Sequence, residues 1–413
     1  MQSTVRPLLI AGSWLEQLQS CIRNKLRRFV FRLVKYALRT MHFVFARRGH
    51  GNDIIFIQFD SALGWAIHET PVYYALKQAR PDCRITVACG NLVYSVIKRN
   101  PYVDSVLILP DPHQEFVRSS LFMLSKTLFH RYESVITTAF NRQPRRVFLA
   151  LLSGARNCFG FTDVSDVYDD VVKYDIKLCV TKNNLNCLLP LNIESANDDL
   201  RIYFSDENYK AASEIFAKVN INSDLSICVF ITQTSGGQPS NWWPDRFAQL
   251  ADQLHRDSGL QIVFIGSKAD VVEIEKIRAL MVEPSASVAG MTDIQTLAAV
   301  MCMSDIAVTV DTGPMHIGTA VGLPMVLIAS AWQSPHEWLP VGSPKVLILR
   351  SNDIPCKECY KFYCATRECM EDIGVHHVYA NVVHMLAAYP PTPSDRLQRV
   401  RNSTADGPGP KLL

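Results

Sequence analysis

Acidic residues are nearly missing from the first fifty positions of this 413-residue chain, where Glu16 stands alone against ten Lys and Arg. Of 42 Lys and Arg and 39 Asp and Glu in all, that leaves 32 basic against 38 acidic residues from position 51 onward, so the body lacks a basic excess. A mildly acidic body offers no basic face to a polyanion, which argues against nucleic acid as a partner. Charged residues are only 20% and hydrophobic ones 48%, which excludes wholesale disorder. The early apolar runs are interrupted by Arg or Lys, and no small-residue cleavage site follows a clean apolar stretch, so no cleavable signal is expected. A reducing, cytoplasmic location is the default.

Residues 22–48 carry Leu26, Val30, Leu33, Ala37, Met41 and Val44 at helical spacing, with Arg28, Arg32, Lys35 and Arg39 on roughly the opposite face. A spanning helix needs about 20 residues almost free of charge, and this segment has a charge every three or four positions. It suits a helix lying on an anionic membrane surface. The alternative is a helix packed on the protein's own body with a solvated basic face. Residues 1–50 are therefore expected to be a basic amphipathic membrane-surface segment, not needed for the fold.

From residue 51 short β-branched runs alternate with helical patterns, as in parallel α/β domains. Strands are predicted at 53–59, 84–89, 105–109 and 133–138, and again at 225–231, 261–266, 304–310 and 324–329. The length fits two domains, expected at 51–222 and 223–389, each Rossmann-like and doubly wound. The polar, Pro- and Gly-rich stretch 390–413 is expected to be a disordered tail. Paired domains of this kind bind ligands at the carboxyl ends of their strands, in the cleft between them.

The loop after the strand at 304–310 reads DTGPMHIGTAVGLP. Asp311 or Thr312 can cap a helix, Gly313 lets backbone approach closely, and Pro314 suits a first turn. Free N–H groups and the helix dipole make such a turn an anion site, although the same pattern also makes an ordinary strand–helix turn. His316, one turn in, could donate to a phosphate oxygen. Asp311 fits better as a residue that orders the turn or accepts from a hydroxyl.

D-T-G-x-x-H followed by small residues and G-x-P resembles the signature of glycosyltransferase family 9, the ADP-heptose–lipopolysaccharide heptosyltransferases. So, in order along the chain, do ALGWAIHETPVYYALKQARPDCRI (62–85), NWWPDRFAQLADQL (241–254), FIGSKAD (264–270), AGMTDIQTLAAVMCMSDIAVTVDTG (289–313) and SPHEWLPVG (334–342). The resemblance implies a GT-B fold, with acceptor on the first domain and nucleotide-sugar on the second. It implies metal-independent transfer with inversion and no cofactor. The donor would be a nucleotide-sugar, ADP-linked, and the acceptor a lipid-linked glycan of the lipopolysaccharide type, on the inner face of the bacterial inner membrane. Thr312, Gly313 and His316, with Asp311, would lie at the diphosphate. Thr234, Ser235 and Gly236 would assist from the neighbouring strand, and Ser267 to Asp270 would meet the nucleoside.

Two positions depart from that pattern. The family's first loop reads Gly-Asp, the Asp being its expected base, whereas this chain has Gly64-Trp65. The family often has a Lys shortly before its Trp-Pro, whereas this chain has Asn241. Asp60 directly follows the first strand and is the first choice as base, with Glu69 and His68 as alternatives; reaction without a protein base, or a non-catalytic relative that binds nucleotide-sugar or glycan, stays open. Of twelve cysteines, eight are scattered through apolar runs and read as buried hydrophobes. Cys356, Cys359, Cys364 and Cys369 could hold a metal, but their spacing differs from a zinc ribbon. Related heptosyltransferases often have a Cys-rich stretch here, so no metal ligands are assigned.

Overall fold

Runs of apolar residues become strands where both faces are covered, and Ile54, Ile55, Phe56 and Ile57 are fully buried. A computed structural model describes residues 6–45, 51–164, 167–234, 240–361, 363–405 and 407–413. The first sheet contains β1 (Asp53–Gln58), β2 (Arg84–Cys89), β3 (Ser105–Ile108), β4 (Ser134–Thr137), β5 (Asn157–Gly160) and β6 (Asp170–Val171). The second contains β7 (Ile227–Ile231), β8 (Gln261–Ile265), β9 (Ser285–Ser287), β10 (Ile306–Val310), β11 (Met325–Ala329) and β12 (Val346–Arg350). A last strand, β13 (Lys411–Leu412), returns to the first sheet. The strand orders are β13-β3-β2-β1-β4-β5-β6 and β12-β11-β10-β7-β8-β9. Every pairing is parallel. Order reverses between β1 and β4 in one sheet and between β7 and β10 in the other, and those two switch points are where loops can converge on a ligand.

The helices of the first half are α1 (Arg6–Phe45), α2 (Leu63–Ile67), α3 (Thr70–Ala79), α4 (Asn91–Ile97), α5 (Phe116–Thr127), α6 (Pro144–Leu152) and α7 (Val180–Leu185), followed by α8 (Asp206–Lys218). Those of the second are α9 (Pro244–Ser258), α10 (Val271–Ala279), α11 (Ile294–Cys302), α12 (Gly313–Val321), α13 (Pro335–Trp338), α14 (Glu368–Glu371), α15 (Val375–Ala388) and α16 (Pro393–Ser403). Alternate residues of β1 face opposite layers. Ile54 and Phe56 share a core with α3, α4 and the second domain, whereas Ile55 and Ile57 pack under α1, α5 and α6.

α1 packs on the first domain through Phe31, Leu38 and His42. Its inner side also carries charge. Lys35 and Arg39 both reach Asp169, at 2.8 and 2.5 Å, and Lys35 donates to the Val167 carbonyl at 2.7 Å. Most of the predicted apolar stripe faces outward: Leu26, Val30, Leu33, Ala37 and Val44 are exposed, joined by Phe29 and Tyr36, whereas Met41 packs on the core. Phe31 and Leu38 belong to the core under the sheet, so α1 packs as part of the first domain. Among the described residues no helix is long and apolar enough to cross a membrane.

Residues 390–413 are not a disordered tail. Thr392 Oγ1 accepts from the Asp395 N–H at 3.1 Å and caps α16, with Pro393 in its first turn. Arg396 then donates through Nε to buried Asp305 at 2.7 Å, and Val400 packs on the core. Beyond α16 the chain runs beside Phe204, and Lys411 and Leu412 pair with Ser105 and Val106 of β3. The Pro and Gly content marks the turns around a short helix and strand.

Candidate active site between the domains

At the β1/β4 switch point the polar residues hold one another below the cleft. Asn141 donates to Asp60 Oδ1 at 3.4 Å, Glu69 Oε1 at 3.2 Å and Thr138 Oγ1 at 2.9 Å. Its own oxygen accepts from the Phe59 N–H at 2.7 Å and from Arg146 at 2.9 Å. Asp60 and Glu69 are both buried. Burial pushes Asp60 above the usual carboxylate range, opposed by a hydrogen bond from Glu69 and by the Arg146 charge. Glu69 is pushed well above its usual range, first by burial and then by the neighbouring Asp60 charge. Two such close acids divide one proton, and Glu69 is the one that keeps it. Asp60 Oδ2 has no hydrogen-bond partner among the described residues.

Across the cleft, α12 begins at the end of β10. Thr312 stands at its N-cap in extended conformation and Pro314, which has no N–H, sits in its first turn. The Met315 N–H already donates to the Thr312 carbonyl at 3.1 Å, which leaves the Gly313 N–H as the backbone donor of the helix start. Asp311 accepts from Gln333 at 3.0 Å, and burial raises its carboxyl to about 6. This agrees with an ordering role better than with contact to an anion. The starts of α2 and α12 meet because glycine stands on both. A Cβ on Gly64 would lie 2.6 Å from His316 Cδ2, and one on Gly313 would lie 2.8 Å from Leu63 Cβ. His316 Nδ1 is 3.2 Å from His68 Nε2.

Thr234 ends the described part of the loop after β7, held by Asn241, whose Oδ1 accepts from its N–H at 2.8 Å and its hydroxyl at 2.7 Å. Asn241 thus pins the loop, and a cation reaches the same segment from elsewhere. Arg367 donates to the Asn241 carbonyl at 3.0 Å and lies over Trp243. That residue sits in a left-handed turn of the Cys-rich stretch, a contact across 126 residues that sequence spacing does not signal. Ser235 and Gly236 lie outside the described residues. Ser267 and Asp270 cap each other after β8, the Ser267 N–H donating to Asp270 at 2.7 Å. These loops follow neighbouring strands β10, β7 and β8, so they share one edge of the cleft.

Trp65, at the place of the expected base, is stacked. Its ring lies 4.6 Å from Phe140 and 5.9 Å from Trp338 of the opposite domain. A cavity of about 990 Å³ lies beside this stack, lined by His68, His316 and Trp338 together with Lys177, Arg201 and Lys345. Cys369 is buried, Cys356 is exposed, and Cys359 and Cys364 are half-buried. Among the described residues no three His, Cys, Asp or Glu converge as a metal site. Cys83, Cys89, Cys158, Cys187, Cys228 and Cys302 are buried, as their apolar settings imply, and Cys179 is half-buried.

Residues 148–369 match the family model of glycosyltransferase family 9 (heptosyltransferase). The chain is 24% identical over 311 residues to lipooligosaccharide heptosyltransferase 2 of Haemophilus ducreyi, covering 71% of this chain and 87% of that one. Its fold is similar to the glycosyl transferase family 9 structure from Veillonella parvula, with TM-score 0.74 at 20% identity over 83% of this chain and 99% of that one. It is also similar to the E. coli ADP-heptose lps heptosyltransferase II, with TM-score 0.66 at 18% identity over 81% and 99%.

Proposed function

The chain belongs to glycosyltransferase family 9, the heptosyltransferases, and on that premise we propose that it moves a heptose or related sugar from an ADP-linked donor to a lipid-linked glycan of the lipopolysaccharide type. Its two Rossmann-like domains face one another in the GT-B arrangement. The observation that supports the reading is the turn 311–316, where the start of α12 and His316 meet Gly64 and His68 of the first domain. In the proposed step Asp60 takes the proton of an acceptor hydroxyl. The hydroxyl oxygen bonds to the anomeric carbon from the face opposite the diphosphate, and the bond from that carbon to the diphosphate oxygen breaks. The leaving diphosphate, which gains the electron pair, is stabilised by the Gly313 N–H at the start of α12 and by His316. Thr234, Ser235 and Gly236 would flank the diphosphate, and Ser267 to Asp270 the nucleoside. Acceptor-dependent release of ADP from ADP-heptose tests the reading; binding without release would make the protein a non-catalytic relative.

His316→Ala removes one donor to a charged oxygen, a loss of ~1.5–3 kcal/mol, so ADP affinity measured by calorimetry is expected to fall roughly tenfold or more. Unchanged affinity would move the donor site elsewhere.

We also propose that the enzyme works on the cytoplasmic face of the inner membrane, with the outward stripe of α1 in an anionic lipid surface. Support comes from a second exposed ridge, Val117, Leu121, Phe122 and Phe129, on and just after α5. The rings of Phe31, Phe148 and Phe116, each 5.4 Å from the next, link α1 to α5 through α6. Lys25, Arg118 and Lys126 are exposed beside these ridges. Each basic residue at such a surface contributes about 1 kcal/mol, added to apolar burial. Phe29→Glu with Leu33→Glu changes only outward positions and is expected to leave the protein in the supernatant when anionic vesicles are sedimented, with ADP binding intact. Undiminished pelleting would refute the surface assignment.

A further inference from the structure

Thr181, His68 and His316 form a hydrogen-bonded line that crosses from the acceptor domain into the donor turn. Thr181 Oγ1 is 2.6 Å from His68 Nδ1, and His68 Nε2 is 3.2 Å from His316 Nδ1. Neither His68 nor Thr181 has a part in the reaction as written above. Both rings are buried, and burial lowers His316 to about 4 and His68 well below the usual histidine range. Each ring is therefore neutral at physiological pH and carries one N–H and one lone pair.

A line of neutral rings has two settings. In the first, the Thr181 hydroxyl donates to His68 Nδ1, His68 Nε2–H donates to His316 Nδ1, and the proton of His316 resides on Nε2. In the second every bond is reversed, and His316 Nε2 is a bare lone pair. A diphosphate oxygen is an acceptor, so only the first setting lets His316 Nε2 bond to it. Glycine at position 64 lets this edge of the ring lie close against α2, since a Cβ there would stand 2.8 Å from Nε2. The His68 ring is itself held edge-on to Trp338, centroids 5.6 Å apart.

We propose that Thr181 and His68 set the tautomer of His316, holding its Nε2–H toward the diphosphate of the nucleotide-sugar. His68 is then a positioning residue, and the line completes the donor site only when the two domains are together. This rests on the donor-site reading of His316.

The test compares His68→Leu, His68→Gln, Thr181→Val and His316→Ala in the full chain, by ADP calorimetry and by ¹⁵N NMR of the His316 ring. Leu keeps bulk without a donor, whereas the Gln amide can still donate to Nδ1. His68→Leu is expected to weaken ADP binding about three- to tenfold and to mix the His316 tautomers. Thr181→Val should shift both readouts in the same direction by less, and it serves if the Leu variant fails to fold. His68→Gln should stay near wild type. Wild-type affinity and an intact Nε2–H tautomer in His68→Leu would overturn the proposal, as would a Gln variant as impaired as Leu. If instead the tautomer shifts in His68→Leu while affinity holds, and His316→Ala also binds normally, it is the donor-site reading that has failed.

Discussion

Asp60→Asn is expected to lower turnover by ~10²–10⁴ while leaving ADP affinity almost unchanged, as for a group that acts only in proton transfer. Asn keeps the shape of the side chain and a carbonyl for the Asn141 amide, so the fold should tolerate it. What it loses is a basic oxygen. Asp60 Oδ2 is buried at the end of β1 without a hydrogen-bond partner among the described residues, and Glu69 and Arg146 both favour its ionised form. Burial still holds its pKa above the usual carboxylate range. On acidification, therefore, Asp60 takes up its proton early, and kcat/KM should begin to fall above the pH at which an exposed aspartate titrates. Steady-state kinetics against pH, with calorimetry for the donor, check both parts. Full activity in Asp60→Asn would send the role to Glu69 or His68.

Asp305→Ala is expected to cost ~3–5 kcal/mol of stability, the usual penalty for stripping one partner from a buried ion pair. Asp305 is 2% exposed and accepts from Arg396 and from the Ile227 N–H at 2.8 Å. Removing it leaves a buried backbone donor unpaired and a half-buried guanidinium held only by the Ser223 and Leu225 carbonyls, which weakens the anchor of α16. Urea unfolding should show the loss as a lower midpoint with little change in slope. The exposed pair Lys98–Asp293 contrasts with it and should be worth less than about 1 kcal/mol. An unaltered midpoint in Asp305→Ala would mean that the terminal helix adds nothing to stability.

Much of this architecture is legible in the sequence. The eight predicted strands form within a residue or two of their expected limits, because a continuous β-branched run can only be accommodated inside a parallel sheet. The three-residue β9 and the two-residue β6 and β13 are too short to show a period. The terminal helix was signalled by Thr392-Pro393-Ser394-Asp395, a capping pattern, but a polar composition outweighed it. For α1 the spacing gives the helix and its apolar stripe, yet not which face turns inward, since that depends on Asp169 waiting more than a hundred residues away. The turn 311–316 is readable as a local motif. The His68–His316 contact, spanning 248 residues, and the Trp65–Trp338 stack required both domains in place.

The chain passes between its domains twice, and the two passages lie side by side. Phe204 donates to the Ser403 carbonyl at 2.9 Å, and Ala405 donates to the Phe204 carbonyl at 3.0 Å. A single passage would be a swivel. Two bonded passages make a flat hinge, which bends easily across its width but resists torsion, because twisting would pull those hydrogen bonds apart. A bend at residues 204 and 404 would therefore disturb these bonds less than a twist. Both the His68–His316 bond and the Trp65–Trp338 stack join the domains, so a bend that parted one pair would part the other with it.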